Sequence, residues 1–144
     1  RGNFIDDTCA RYENRFFVQM NVDDTFSSGP WKYDFVVVPV FGHTEGSVML
    51  YHEKSRILFS GDAILAGIPP FRQIEQLSPA RMEYSCDIKS CWCSTLEFVA
   101  SAPPVLHLAS GHGPYVGQDV MRKLGRFHIE NSSRLFQVKD SIEK

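Results

Sequence analysis

The sequence has 144 residues, 43% hydrophobic and 22% charged, and a formal net charge of −2. That composition suits one globular domain, or a piece of one, and excludes a disordered or collagen-like chain. The charge gives no footprint for nucleic acid or an anionic membrane surface, and no apolar run nears the ~20 residues that span a bilayer.

The opening RGNFIDDTCARYENR is polar, has no signal-peptide core and does not begin with Met, so a processed or excerpted chain is expected. RFFVQMNV (15–22) predicts a strand, and DDTFSSGP (23–30) a loop rich in turn residues. YDFVVVPV (33–40) is a β-branched run whose apolar residues are consecutive, which predicts a strand buried on both faces. SVMLYHE (47–53) is the next strand, EKSR (53–56) a polar hairpin connection, and RILFSGD (56–62) another buried strand. Residues 63–84 contain AGIPPF and LSPA and are expected to be mostly loop.

DIKSCWCSTLEFVAS (87–101) predicts a helix that Pro103 and Pro104 halt. VLHLAS (105–110) is a short strand ending in GHGP. From Gly117 a long helix is expected, with Val120, Leu124, Phe127, Leu135, Val138 and Ile142 on one stripe interrupted at Asn131. The order is four strands, helix, strand, helix: an α/β (α+β) chain with a mixed sheet covered by helices on one face.

Cys86, Cys91 and Cys93 crowd the first helix, and Cys9 lies apart. Side chains two residues apart on a helix diverge by about 200°, and no C-x-x-C pair exists, so these are expected to be reduced thiols packed as small apolar groups. Such thiols suit a reducing, cytoplasmic setting.

Three strand ends share a pattern. His43 follows VVVPV in FGHTEG, Asp62 follows ILFSG in FSGDAI, and His112 follows VLHLA in ASGHGP. Each sits on a short glycine-flanked turn, where the backbone can approach a site closely. Singly, His43 could be a turn histidine bonded to backbone, Asp62 a helix cap and His112 a plain exposed side chain. Together, two imidazoles and a carboxylate on one sheet edge form a donor set that suits zinc, and also iron or manganese. His52 is expected to be exposed, and His107 to be a satisfied core histidine.

GHTEGS, LFSGDAI and SGHGP, in this order, resemble the second half of the metallo-β-lactamase-fold hydrolases. YSCDIKSCWCSTLEF resembles the family's helix, and His128 and Arg134 fall where many members carry a His-Arg…Arg pattern. Phe41 stands where many members have proline before the Gly-His-Thr turn. The resemblance implies one half of an αββα sandwich, so residues 1–144 form a single partial domain. It implies that His43 completes a first metal site, that Asp62 bridges two metals as the catalytic carboxylate, and that His112 completes the second. Two zinc ions would be the cofactor. A metal-bound hydroxide would attack an ester, amide or phosphoester of a small-molecule substrate. Ser110, Tyr115 or the 63–84 segment could shape the pocket, without assigned roles.

The family's other signature, His-x-His-x-Asp-His, is absent: the five histidines are 43, 52, 107, 112 and 128. Three ligands over two metal positions are fewer than the three or four protein donors usual for zinc. The chain alone is therefore expected to be weakly active or inactive. A missing N-terminal half, a partner chain or a second copy is expected to cover the bare sheet face. The alternative is a non-catalytic relative acting as a binding or dimerisation module.

Overall fold

Three valines and an aromatic in succession, residues 35–38, favour extended backbone because branched and ring side chains pack well on a pleated surface. In the computed structural model, which describes residues 27–68 and 72–142, they build the second of seven strands among the described residues. The strands are β1 (Gly29–Pro30), β2 (Phe35–Pro39), β3 (Val48–His52), β4 (Ile57–Gly61), β5 (Ile64–Ile68), β6 (Arg72–Pro79) and β7 (His107–Ser110). The helices are α1 (Ile88–Ala100) and α2 (Val120–Ile142). The expected strand 15–22 and Cys9 lie outside the described residues.

Five strands form one sheet in the order β1-β2-β3-β4-β7. Neighbours from β1 to β4 run antiparallel, whereas β4 and β7 run parallel. A parallel pair needs a long crossover; here it contains the β5–β6 hairpin and α1. The sheet is therefore mixed, as expected from sequence.

Register assigns the faces. Val36 pairs with Tyr51, Val38 with Met49, Tyr51 with Leu58, and Leu58 with Leu108. These side chains share one face and meet Leu96 and Val99 of α1 and Val120, Leu124 and Phe127 of α2 in one core. The other face carries Phe35, Val37, Leu50, Ile57 and Phe59, of which Phe59 is 40% exposed.

The helix ends follow from local chemistry. Asp87 caps α1, its carboxylate accepting from the Ser90 N–H at 3.1 Å. On α2, Val120, Leu124, Phe127 and Leu135 lie on the core as the stripe predicts; positions 138 and 142 lie outside the residues whose side chains are described. The interruption at Asn131 is a buried amide whose Nδ2 donates back to the Phe127 carbonyl at 2.8 Å. Cys91 is fully buried, as expected of a packed thiol, but Cys86 and Cys93 are exposed.

Residues 63–84 are not mostly loop. They fold into the β5–β6 hairpin, which packs on α2, followed by a 3-10 turn at Met82–Tyr84. The prolines at 69 and 70, which signalled a loop, lie outside the described residues. Ile64, Leu65 and Ala66 are all buried, so no alternation marks the strand. A two-residue strand, β1, also falls within the expected loop 23–30.

Candidate metal centre

The turn after β2 carries His43. Gly42 has φ +118°, and a Cβ there would overlap the Asp87 carbonyl and lie 2.7 Å from the Cys91 nitrogen. Only glycine lets this turn rest on the start of α1. Two backbone bonds hold it there: Asp87 N–H to Gly42 O at 2.8 Å, and Cys86 N–H to His43 O at 3.2 Å. Thr44 and Ser47 close the turn, their hydroxyls 2.7 Å apart and the Thr44 N–H donating to Ser47 Oγ at 2.9 Å. The threonine and serine of GHTEGS thus shape the loop that presents the histidine.

Asp62 follows β4 directly. The Ser60 hydroxyl donates to the Ile64 carbonyl at 2.7 Å, so the chain turns sharply around Asp62 into β5. The β4–β7 register slips between Phe59 and Gly61, next to the carboxylate; such irregularities re-aim side chains at strand ends. His112 lies just past β7. Its carbonyl accepts from Ser110 Oγ at 2.6 Å and from the Ala66 N–H at 3.1 Å, which ties its loop to β5.

The three side chains converge. His43 Nε2 lies 3.2 Å from Asp62 Oδ2, and His112 Nε2 lies 3.6 Å from the same oxygen. They line a cleft of about 450 Å³ together with Thr44, Leu65, Arg81 and Tyr84. Two ligands at ~2.1 Å around a tetrahedral ion stand about 3.4 Å apart, which the two histidine–carboxylate separations bracket. The donor chemistry therefore fits a divalent cation as a partial set, with Asp62 common to a His43 edge and a His112 edge. Among the described residues, no group of three or more His, Cys, Asp or Glu is arranged to hold a metal ion.

Other residues singled out lie elsewhere. His52 bonds Ser55 and packs beside Phe35. His107 stacks on Tyr115 at 5.5 Å between centroids, with Nδ1 buried and no hydrogen-bond partner for it among the described residues, so it is not the satisfied core histidine expected. That stack holds Tyr115, which is not among the cleft-lining side chains. Ser110 acts as a loop tie rather than a wall. His128 lines a different groove, between α1 and α2. Arg81 and Tyr84 come from the segment read as loop and have no local motif. Ser85 was also missed. Its hydroxyl lies 3.1 Å from His43 Nδ1, a contact 42 residues apart that no spacing rule reveals.

Comparison with known proteins follows the same line. The model of the Metallo-beta-lactamase superfamily matches residues 26–120. Among solved structures, TTHA1623 in a di-iron-bound form is 22% identical with a TM-score of 0.58, the match covering 85% of this chain and 54% of that one. TMB-1 is 16% identical with a TM-score of 0.55, covering 88% and 54%. VMB-1 is 14% identical with a TM-score of 0.53, covering 88% and 53%. The chain thus spans about half the length of these structures, and the likeness concerns the fold. A search of curated proteins gives no match. With the family model matching residues 26–120, the chain belongs to the metallo-beta-lactamase superfamily, whose fold is of the metal-dependent hydrolase type.

Proposed function

We propose that the chain is the C-terminal part of a metal-dependent hydrolase in which His43, Asp62 and His112 supply one side of a dinuclear site. The observation that carries this reading is the meeting of both Nε2 atoms at one oxygen of Asp62. Zinc is the favoured metal from the nitrogen and oxygen donors, with iron or manganese as alternatives; TTHA1623 was solved with two irons. When bound, such a cation lowers the pKa of a coordinated water toward ~7 and polarises the substrate. His43 would serve one metal, His112 the other, and Asp62 both. Leu65 and Tyr84 offer the cleft apolar and aromatic wall, and Arg81 offers it positive charge. A small ester, amide or phosphoester is the proposed substrate class.

The remaining donors are proposed to come from an N-terminal half, a partner chain or a second copy seated on the face that carries Phe59. No described helix is long and apolar enough to cross a membrane; a cytoplasmic setting rests on the cysteine usage. A second reading, a non-catalytic binding or dimerisation module, is favoured by the incomplete donor set and the 40% exposure of Phe59.

Equilibrium dialysis against Zn²⁺ tests the first reading. Weak uptake that falls in His43→Ala and Asp62→Ala supports it, and uptake indifferent to both substitutions removes it. Solution mass tests the second: a monomer that binds no hydrophobic dye contradicts a dimerisation surface.

A further inference from the structure

The cleft that holds Asp62 also holds a cation that is not paired with it. Arg81 is the only lysine or arginine among the described lining residues, and no ion pair joins it to Asp62 among them. Its guanidinium reaches the exposed carboxylate of Glu83 at 3.4 Å, longer than a charged pair usually stands, and lies 5.7 Å from the centroid of the Tyr84 ring. A guanidinium carries several N–H donors in a flat fork, and Glu83 takes one of them. The backbone beneath is anchored. The Ala80 N–H donates to the carbonyl of Ala63, the residue after Asp62, at 3.3 Å, and the Trp92 indole donates to the Ala80 carbonyl at 2.9 Å. The Arg81 carbonyl accepts from the Tyr84 N–H at 3.3 Å and from the Ser85 hydroxyl at 2.7 Å. Arg81 and Tyr84 are thus carried into the cleft wall by one pinned turn.

We propose that Arg81 selects the ligand of this cleft: a monocarboxylate with a flat apolar body, its carboxylate on the guanidinium and its body against Leu65 and Tyr84. Calling that ligand a substrate rests on the hydrolase reading of the site, and its carboxylate is then a group other than the one attacked. The choice of anion follows from charge and shape. One guanidinium offers a single positive charge in a planar fork, which matches one carboxylate, whereas a phosphate dianion carries more charge than one arginine balances. The choice of body follows from the walls, since Leu65 and Tyr84 offer apolar and aromatic surface in a cleft of about 450 Å³. A contact remote from the reacting bond is made alike in the ground and transition states, so in a complete enzyme it acts on KM and not on kcat.

The test is aromatic ¹H–¹³C NMR of the metal-free 144-residue chain at about pH 8, where ordinary histidines are neutral, with benzoate, benzamide and phenyl phosphate as probes. The Tyr84 signals are identified by their loss in Tyr84→Phe. Benzoate should move the Tyr84 ring and bind more tightly than its neutral counterpart benzamide or than phenyl phosphate. In Arg81→Gln the benzoate affinity should fall about tenfold or more, the range for a hydrogen bond to a charged group, while that of benzamide holds. Arg81→Lys, which keeps the charge and loses the fork, should fall between. Asp62→Asn removes the carboxylate whose charge opposes an anion in the metal-free cleft, so benzoate should bind more tightly there and still depend on Arg81. Absent benzoate binding, or an affinity that ignores Arg81→Gln, in both backgrounds overturns the proposal, and an Arg81-dependent preference for phenyl phosphate overturns the carboxylate assignment. Zinc uptake indifferent to His43→Ala and Asp62→Ala would remove the hydrolase reading instead and leave a carboxylate-binding cleft.

Discussion

Gly111 rests its backbone against the carboxylate of Asp62. Its N–H donates to the Gly61 carbonyl at 2.7 Å, and a Cβ on residue 111 would overlap Asp62 Oδ1. β7 thus approaches β4 closely enough to place His112 beside Asp62 only because position 111 has no side chain. In Gly111→Ala the carboxylate is the part free to yield, since the nearest backbone atoms stand 3.1 and 3.2 Å away. The variant should keep its fold and lose about tenfold or more in zinc affinity, the range for disturbing a ligand's surroundings. A competition titration beside a thermal melt separates the two effects.

Gly42 makes the opposite demand. Its positive φ and the Asp87 carbonyl beneath it leave a new Cβ facing backbone that cannot rotate away. Gly42→Ala should cost more than about 1 kcal/mol in folding stability, since a methyl is forced where φ is positive. Urea unfolding measures the loss.

Among the described residues, Phe127 is the largest fully buried side chain, and it joins α2 to the sheet. Phe127→Ala should cost about 3–5 kcal/mol, the sum of lost transfer energy and a residual cavity. The expected sign is a lower urea midpoint at an unchanged slope.

Two groups at α1, the N-cap Asp87 and the buried Cys91, contribute to the pH dependence of stability. The Ser90 hydroxyl and N–H hold the Asp87 carboxyl below its usual 3.8. Stability from that group is present above 3.8 and is lost as pH falls through the lower folded value. Burial pushes the Cys91 thiol above its usual 9.0. Above that point the unfolded chain releases a proton that the folded chain retains, so stability falls as pH rises toward the folded value. Urea midpoints across pH should therefore fall at both extremes. Asp87→Asn should lessen the fall on the acid side, which Glu83 and Asp119 share, and Cys91→Ala the fall on the alkaline side.

How legible these features were depends on the range of the interactions that create them. β2, β3 and β4 declared themselves because branched and apolar residues cluster within five positions. His43, Asp62 and His112 each follow such a strand on a glycine turn, but β3 separates β2 from β4, and their meeting also needs the β4–β7 register slip and the close approach at Gly111, which no local pattern shows. The β5–β6 hairpin was not legible, because Ile64, Leu65 and Ala66 are buried in succession and the nearby prolines read as loop. Arg81, Tyr84 and Ser85 reach the site through a 3-10 turn that follows that hairpin, so missing one hid the others. His107 looked like core because it lies in an apolar run, yet it stacks on Tyr115 and its Nδ1 finds no partner among the described residues.

The convergence of His43 and His112 on Asp62 is tested most directly by adding Zn²⁺ to the chain while following its five imidazoles by NMR. The rings of His43 and His112 should respond together, those of His52, His107 and His128 should stay still, and Asp62→Ala should abolish the response of both. Zinc that moves all five rings alike, or that moves His43 and His112 equally well without the Asp62 carboxylate, would contradict the account.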